Sequence, residues 1–235
     1  MNAINQNLLT DYLANDVVTN WLDKFSQSED ENLVCQRWLR QTPAKRLIFS
    51  ELYGTLLDSK NRLRVLDVGG GLTAMTKVMA SVHDYVLADL LAHDDLATAR
   101  RLNEQVGKDF IRAQDWATLD AASYDLIIAN DIFPNVDQRL EMFLDRFLPM
   151  TRRLRLSLTW YETPRYYMTR RIDADEIFCM LAWNGEHLAS ILKKFADRIE
   201  GADFQIFTNT SQSVYPNGRQ VCLVDLRGDL AEATI

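Results

Sequence analysis

The stretch Leu66-Asp67-Val68-Gly69-Gly70-Gly71-Leu72-Thr73 decides the fold of this 235-residue chain. The apolar run over 64–68 predicts a short buried strand, and the pattern over 73–82 predicts the helix that follows it. Because glycine has no Cβ, the three glycines between them allow a sharp turn and let a ligand approach the backbone closely. The first turn of the following helix offers free N–H groups at the same place. This stretch therefore predicts an α/β domain with a ligand site at a strand end.

Strand and helix patterns alternate on both sides of this turn. Strands are predicted over 64–68, 85–89, 109–113, 125–129, 154–160, 204–208 and 220–226, and helices over 73–82, 97–106, 137–150 and 174–199, the last with a break at Gly185 as an option. Strands joined through helices form a parallel sheet. The last two strands have only the turn at 216–218 between them, so we expect them to pair antiparallel. The predicted fold is Rossmann-like α/β: a mostly parallel seven-stranded sheet with one reversed strand and helices on both faces.

The first sixty residues show only helical periodicity. Apolar residues recur at helical spacing over 8–25, a second helical stretch covers 33–39, and Pro43 suits the first position of a third helix. We therefore expect residues 1–60 to form a helical extension and residues 61–235 to form the core. The extension either caps the core, forms a homodimer interface, or simply covers one side of the sheet.

Composition excludes several classes of protein. No apolar run approaches the ~18 residues of a membrane span, and the first residues lack the pattern of a secretory signal, so we expect a cytoplasmic protein. The formal net charge of −7 disfavours nucleic acid as a partner. Cys35, Cys179 and Cys222 are far apart, and the three histidines are not at metal-ligand spacing, so neither a disulfide framework nor a metal site is expected.

Polar residues follow the next three strands, where open α/β sheets bind their ligands. Asp89 ends the second strand about twenty residues after the glycines, the spacing at which a carboxylate accepts hydrogen bonds from ribose hydroxyls. Asp115 and Trp116 follow the third strand, where a carboxylate can accept from an adenine amino group and a ring can cover the base. Asn130 and Asp131 leave the fourth strand. Together these positions predict a nucleoside site.

Over residues 63–226 the chain resembles the class I S-adenosylmethionine-dependent methyltransferases. Their first motif is an acid followed by three alternate glycines, and this chain has Asp67, Gly69 and Gly71 with Thr73 in the third glycine place. The resemblance implies S-adenosylmethionine as cofactor, with its methionine part beside the glycine turn, and a reversed final strand. The implied cofactor-binding residues are Asp67, Gly69, Gly70, Gly71, Asp89 (ribose), Leu90, Asp115 (adenine amino group), Trp116 and Asn130.

The acceptor is expected to be a small molecule that receives the methyl group on oxygen or nitrogen. The segment after the fifth strand is rich in aromatic and arginine side chains, which suit a flat or anionic acceptor. Its candidates for substrate binding are Arg165, Tyr166 and Arg170. Candidate bases or orienting groups are Asp131, Glu162 and Tyr161, with His93 a weaker one.

Three alternatives stay open. Gly69-x-Gly71-x-x-Ala74 also matches the fingerprint of nicotinamide dehydrogenases, although Asp67 would put a carboxylate close to the pyrophosphate. A methyltransferase that acts on RNA or protein is the second alternative, but the Asn/Asp-Pro-Pro-aromatic signature of amino-group methylation is absent after the fourth strand. A non-catalytic partner subunit with the same fold is the third.

Overall fold

The computed structural model describes residues 1–170, 177–208 and 212–231, and within these ranges the side chains of Thr169, Arg170 and Phe178 are outside the description. The strands are β1 (Asn2–Ile4), β2 (Arg64–Val68), β3 (Asp84–Ala88), β4 (Ile111–Arg112), β5 (Tyr124–Asn130), β6 (Thr151–Trp160), β7 (Arg165–Arg170), β8 (Ile177–Ala182) and β9 (Gln220–Arg227). The helices are α1 (Gln6–Leu13), α2 (Val17–Phe25), α3 (Val34–Gln41), α4 (Pro43–Leu57), α5 (Ala74–Val82), α6 (Leu96–Val106), α7 (Leu140–Phe147) and α8 (Gly185–Leu192). None of the helices in these ranges has the length and apolarity that a bilayer span requires.

A seven-stranded sheet with the order β1-β9-β6-β5-β2-β3-β4 forms the centre of the structure. Pairings from β6 through β4 are parallel, whereas β9 pairs antiparallel with both β6 and β1. Strand β9 is therefore the reversed strand of this sheet, and the predicted fold class, a mostly parallel seven-stranded sheet with one reversed strand, is confirmed. The carboxyl ends of β2, β3 and β5 lie side by side, which brings the loops that follow them to one edge of the sheet.

Hydrophobic residues pack on both faces of this sheet. Alternate residues of a strand point to opposite faces, and Val65 belongs to one buried cluster while its neighbour Leu66 belongs to the other. Helices α2, α4, α5 and α6 contribute to the first cluster, and α7 and α8 contribute to the second. The helices of residues 1–60 thus share a continuous hydrophobic core with the sheet.

The sequence prediction over 8–25 was wrong in one respect, because the structure has two helices there. The carboxylate of Asp16 accepts a hydrogen bond from the Thr19 amide and so caps α2, while Tyr12 and Arg46 also donate to Asp16. An aspartate at this position favours a helix start over a helix interior. Helix α4 begins at Pro43, as predicted.

The partner of the reversed strand was also predicted wrongly. Phe204–Phe207 forms a 3-10 helix in place of a strand, with Asp203 capping it through the Gln205 amide. Strand β9 instead pairs along its whole length with β6, from Trp160–Gln220 to Arg153–Arg227. Residues Asn2–Ile4 take the edge position beyond it, so a segment assigned to the helical extension supplies the seventh strand.

The helix predicted over 174–199 is much shorter in the structure. Ile177–Ala182 is a strand that pairs antiparallel with Arg165–Arg170, and residues 174–176 lie outside the described ranges. The helix begins at Gly185, where the side chain of Asn184 accepts from the His187 amide, and it ends at Leu192 before a 3-10 turn. A short apolar run is compatible with either a strand or a helix. Here pairing with Arg165–Arg170 favours the strand.

Candidate functional site

The glycine turn after β2 is constrained by both conformation and packing. Gly69 and Gly71 have φ values of 67° and 73°, in the left-handed region that glycine adopts without strain. A Cβ at Gly69 would lie 2.1 Å from Cδ1 of Ile132, and one at Gly71 would lie 2.3 Å from Sγ of Cys35. Larger residues at either position would have to displace these neighbours.

Side chains of the protein itself close the start of helix α5. The hydroxyl of Thr73 accepts a hydrogen bond of 3.1 Å from the Thr76 amide, and Oε1 of Gln36 accepts one of 2.8 Å from the Ala74 amide. Dinucleotide-binding folds place a pyrophosphate on the amides of this helix terminus. Two of those amides already have protein partners here, which disfavours the dehydrogenase alternative.

Asp67 lies beneath the glycine turn. Its side chain is buried and accepts hydrogen bonds from the hydroxyls of Tyr53 and Tyr85. Burial raises the pKa of Asp67 to about 7, although the two tyrosine hydrogen bonds act in the opposite direction. A Cβ at Gly70 would lie 2.2 Å from Oδ2 of Asp67. The carboxyl group therefore supports the turn from below.

Asp89 connects the loop after β3 to the glycine turn. Its Oδ1 accepts a hydrogen bond of 2.7 Å from the Leu91 amide, and its Oδ2 accepts one of 3.3 Å from the Gly71 amide. Leu90, directly after it, is exposed. The Asp89 carboxylate is thereby held at the edge of the cleft, next to the glycines.

Asp115 and Trp116 begin a 3-10 turn after β4. Oδ2 of Asp115 accepts a hydrogen bond of 2.8 Å from Arg139, and this interaction, against burial, holds the pKa of Asp115 below its ordinary value. The indole of Trp116 is buried, packs edge-on against Phe143 and donates to Asp137. The Arg139 guanidinium lies 4.6 Å from the centre of the Trp116 ring, so Arg139 joins the two residues.

Strand β5 ends at Asn130, and Asp131 follows it in a hydrogen-bonded bend. The Ser157 hydroxyl donates to Oδ1 of Asn130 at 2.8 Å and accepts from the Asp131 amide at 2.7 Å. Asp131 has a φ of 58°, an uncommon value for a residue with a side chain. This backbone conformation orients the Asp131 carboxylate, which belongs to the lining of the cleft.

Two cations meet at the Asp131 carboxylate. Nη1 of Arg219 lies 3.2 Å from Oδ1, Nζ of Lys45 lies 3.4 Å from Oδ2, and Nδ2 of Asn135 donates to Oδ1 at 3.1 Å. Burial acts to raise the pKa of Asp131, but Arg219 and Lys45 outweigh it and hold that pKa below its ordinary value. Asp131 is therefore a charged partner of two cations and a poor proton acceptor near neutral pH.

A cleft of about 1230 Å³ runs along these strand ends. The predicted residues that line it are Gly69, Gly70, Gly71, Asp89, Leu90, Asp115, Trp116, Asn130 and Asp131. Helices α3 and α4 of the N-terminal segment form another wall, with Cys35, Trp38, Thr42 and Lys45. The predicted nucleoside site and part of the extension thus face the same space.

His93, the weaker candidate base, also lines the cleft, whereas the lining does not include Asp67, Tyr161, Glu162, Arg165 or Tyr166. Tyr161 is buried, and its hydroxyl accepts from Asn217 at 3.3 Å, while the Arg165 guanidinium lies 4.0 Å from its ring centre. Glu162, Arg165 and Tyr166 are exposed, and the side chain of Arg170 lies outside the described part of the structure. The structure brings Tyr161 near the cleft through Asn217, and it leaves Glu162 and Tyr166 apart from it.

The sequence prediction did not include Lys45, Arg139, Trp38, Tyr215 or Arg219, which all line the cleft. Lys45 and Trp38 belong to the N-terminal helices, for which the sequence predicts a cap, a homodimer interface or a cover of the sheet, without any site residue. Arg219 stands directly before β9, after the predicted turn at 216–218. The sequence feature that could have indicated Arg219 is a charged residue between a turn and a buried strand.

No protein-family model matches the chain, and no curated protein matches it. Solved structures do match. One is Burkholderia thailandensis 1,6-didemethyltoxoflavin-N1-methyltransferase with bound 1,6-didemethyltoxoflavin and S-adenosylhomocysteine: it is 18% identical over 93% of this chain and 89% of that chain, with a TM-score of 0.52.

A protein from Pyrococcus horikoshii OT3 is 13% identical over 83% of this chain and 99% of that chain, with a TM-score of 0.50. The magnesium protoporphyrin IX methyltransferase from Synechocystis PCC 6803 with bound S-adenosylmethionine is 16% identical, over 97% of this chain and 100% of that one, with a TM-score of 0.48. The similarity to the Burkholderia and Pyrococcus structures shows a shared fold, and function is decided by the site. The chain has the Rossmann-like fold of the class I S-adenosylmethionine-dependent methyltransferases.

Proposed function

We propose that this chain is an S-adenosylmethionine-dependent methyltransferase that acts on a small-molecule acceptor. The observation that carries the proposal is the alignment of the glycine turn, Asp89, Asp115 and Asn130 along one cleft at the carboxyl ends of β2, β3, β4 and β5. Open α/β sheets bind ligands at this edge. The protein-capped start of α5 fits a cofactor without a pyrophosphate.

The residues present fit S-adenosylmethionine. Asp89 offers a carboxylate for ribose hydroxyls, Asp115 one for the adenine amino group, and the glycine turn leaves backbone accessible to the methionine part. Ligand pockets span about 300–1,000 Å³, so a cleft of about 1230 Å³ has room for an acceptor beside the cofactor. When bound, S-adenosylmethionine supplies an electrophilic sulfonium methyl group.

The main tasks of the chain's own residues are then alignment and exclusion of water. We propose that residues 1–60 act as a cap, because Trp38, Thr42 and Lys45 form a wall of the cleft and Gln36 fastens α3 to α5. The cap would enclose the reacting groups against the strand ends.

Lys45, Asp131 and Arg219 form one end of the cleft, which we call the acceptor end. Asp131 serves this mechanism there as an orienting group. Its pKa is lowered, and both of its oxygens contact a cation, Arg219 at Oδ1 and Lys45 at Oδ2. Because such a carboxylate accepts a proton poorly near neutral pH, it is disfavoured as a general base. We propose that Tyr161, whose hydroxyl accepts a hydrogen bond from the cleft residue Asn217, acts beside Asp131. Glu162 is exposed and lies outside the cleft lining in the part of the chain that the structure describes, so we propose no part for it in the transfer.

A labelling experiment tests the proposal against the RNA, protein and partner-subunit alternatives. The purified chain is incubated with a cell extract and S-adenosylmethionine labelled in the methyl group, and the products are separated into small molecules, RNA and protein. We expect label in the small-molecule fraction and a loss of that label with Asp89→Ala. Label in RNA or protein would contradict the acceptor class.

The matched control is Asp84→Ala, because Asp84 is exposed at the opposite end of the same strand. This variant should transfer label as the unaltered chain does. Absence of transfer to every fraction, together with absence of cofactor binding, would support the partner subunit.

A further inference from the structure

The acceptor end of the cleft carries more positive than negative charge. Lys45 and Arg219 face the single carboxylate of Asp131, in a chain whose formal net charge is −7. The distances to the Asp131 carboxylate are 3.2 Å from Arg219 and 3.4 Å from Lys45. Both are longer than the roughly 2.7–2.9 Å of a strong charge-assisted hydrogen bond. Both cations therefore retain capacity to bind a second anion.

Arg219 has an unused hydrogen-bond donor. Its side chain is only 12% exposed, and its guanidinium lies 4.1 Å from the centre of the Tyr215 ring. Its Nε is buried and has no hydrogen-bond partner among the residues that the structure describes. Native proteins rarely leave a buried donor unpaired, and a guanidinium presents Nε–H and an Nη–H as a fork that matches an oxyanion.

Lys45 approaches the same space from the N-terminal segment. Its Nζ lies 5.0 Å from the centre of the Trp38 ring, and its side chain is 28% exposed. Trp38, Lys45, Tyr215 and Arg219 all line the cleft. Aromatic rings beside two cations suit a flat ligand with an acidic group.

We propose that the methyl acceptor carries an oxyanion group, a carboxylate or a phosphate, which Arg219 and Lys45 bind beside Asp131. This inference rests on the proposed function. It restricts the class of methyl acceptor to organic acids or phosphate esters that contain a planar group. Asp131 holds the two cations in place before the acceptor binds, and it competes with the acceptor's anion for them. Loss of the Asp131 charge should therefore strengthen anion binding, whereas loss of either cation should weaken it.

The experiment is a calorimetric titration with probe anions, made with and without S-adenosylhomocysteine. Benzoate tests a carboxylate, phenyl phosphate tests a phosphate, and benzamide is the neutral probe of similar shape. We expect saturable binding of at least one anion, about tenfold weaker in Lys45→Gln and in Arg219→Gln and severalfold tighter in Asp131→Asn. The tighter anion shows which oxyanion the site takes.

Matched controls are available outside the cleft. Lys24 lies over the Phe25 ring at 4.9 Å, and Arg64 lies over the Tyr124 ring at 5.5 Å. Lys24→Gln and Arg64→Gln should leave anion binding unchanged. If Arg219→Gln does not fold, Lys45→Gln and Asp131→Asn carry the test in opposite directions.

Several results would overturn the inference: no saturable binding of either anion, equal binding of benzamide, or unchanged anion affinity in both Lys45→Gln and Asp131→Asn. Binding of S-adenosylhomocysteine in the same titrations reports separately on the proposed function. Binding of S-adenosylhomocysteine without anion binding would refute the anion site and leave the proposed function standing. Anion binding without binding of S-adenosylhomocysteine would refute the proposed methyltransferase function.

Discussion

Oε1 of Gln36 accepts a hydrogen bond of 2.8 Å from the amide of Ala74. The contact joins helix α3 of the N-terminal segment to the start of α5, directly after the glycine turn, and the Gln36 side chain is fully buried. It closes a helix terminus that other nucleotide-binding folds leave open for phosphate. One residue thus links helix α3 to the side of the cleft that contains the glycine turn.

Replacement of Gln36 by leucine should destabilise the fold. The buried Ala74 amide would lose its partner, at a cost of about 1–3 kcal/mol, which in a chain of this size lowers the Tm by roughly 2–12 °C. Thermal unfolding followed by circular dichroism measures the change. Gln205→Leu is the control, because that side chain is exposed; equal Tm values for the two variants would refute the role of Gln36.

Gly71→Ala should be more harmful than Gly107→Ala. Both glycines have positive φ, 73° and 71°, so both substitutions carry about 1–2 kcal/mol of backbone strain. Only Gly71 also has Cys35 Sγ at 2.3 Å from the added Cβ, whereas nothing lies within 4 Å at Gly107. Crowding of this kind adds about 1–3 kcal/mol.

Chemical denaturation of the two glycine variants measures the difference in their free energies of unfolding. Gly71→Ala should also weaken S-adenosylhomocysteine binding, and Gly107→Ala should not. Equal destabilisation would mean that the turn can relax away from Cys35.

Asp67→Asn should change how stability depends on pH. Burial raises the pKa of Asp67 from 3.8 to about 7 in the folded chain. Between these values the unfolded chain releases the proton while the folded chain keeps it, so stability is lost as pH rises from about 4 to about 7. The loss amounts to at most about 4 kcal/mol.

The asparagine variant cannot ionise and should escape this loss. Its free energy of unfolding, relative to that of the unaltered chain, should rise with pH up to about 7 and then stay level. Urea unfolding of both proteins across this range measures it. A difference independent of pH would show that Asp67 is ionised throughout.

Asp115→Ala should remove discrimination between adenine and hypoxanthine. If Asp115 accepts from the adenine amino group, the unaltered chain should bind S-adenosylhomocysteine about tenfold more tightly than S-inosylhomocysteine, which lacks that group. The variant should bind both alike, and the exposed Asp120→Ala control should keep the preference. Retained discrimination in Asp115→Ala would assign Asp115 to its ion pair with Arg139 alone.

Local patterns predicted most of the sheet. The strands that end in Val68, Ala88 and Asn130 are short apolar runs with clear boundaries, and each forms close to its predicted position. The secondary-structure predictions were wrong where the structure of a segment depends on pairing with residues distant along the chain. Phe204–Phe207, predicted as part of a strand, is a 3-10 helix, and Ile177–Ala182, predicted as part of a helix, is a strand that pairs with β7.

The part of the cleft at the ends of β2, β3 and β4 was easier to predict than the part around Asp131. Gly69, Asp89 and Asp115 stand at strand ends, where position along the chain implies position in space. Lys45 and Arg219 meet Asp131 from segments 86 and 88 residues away along the chain. Sequence spacing contains no signal for such a meeting, so the cations became visible only in the structure.

Calorimetric titration with S-adenosylhomocysteine, beside NADH, tests the central claim most directly. We predict micromolar binding of S-adenosylhomocysteine, weakened about tenfold or more in Asp89→Ala through the loss of charge-assisted hydrogen bonds, unchanged in Asp84→Ala, and no binding of NADH. Absence of S-adenosylhomocysteine binding, or binding of NADH in its place, would contradict the account.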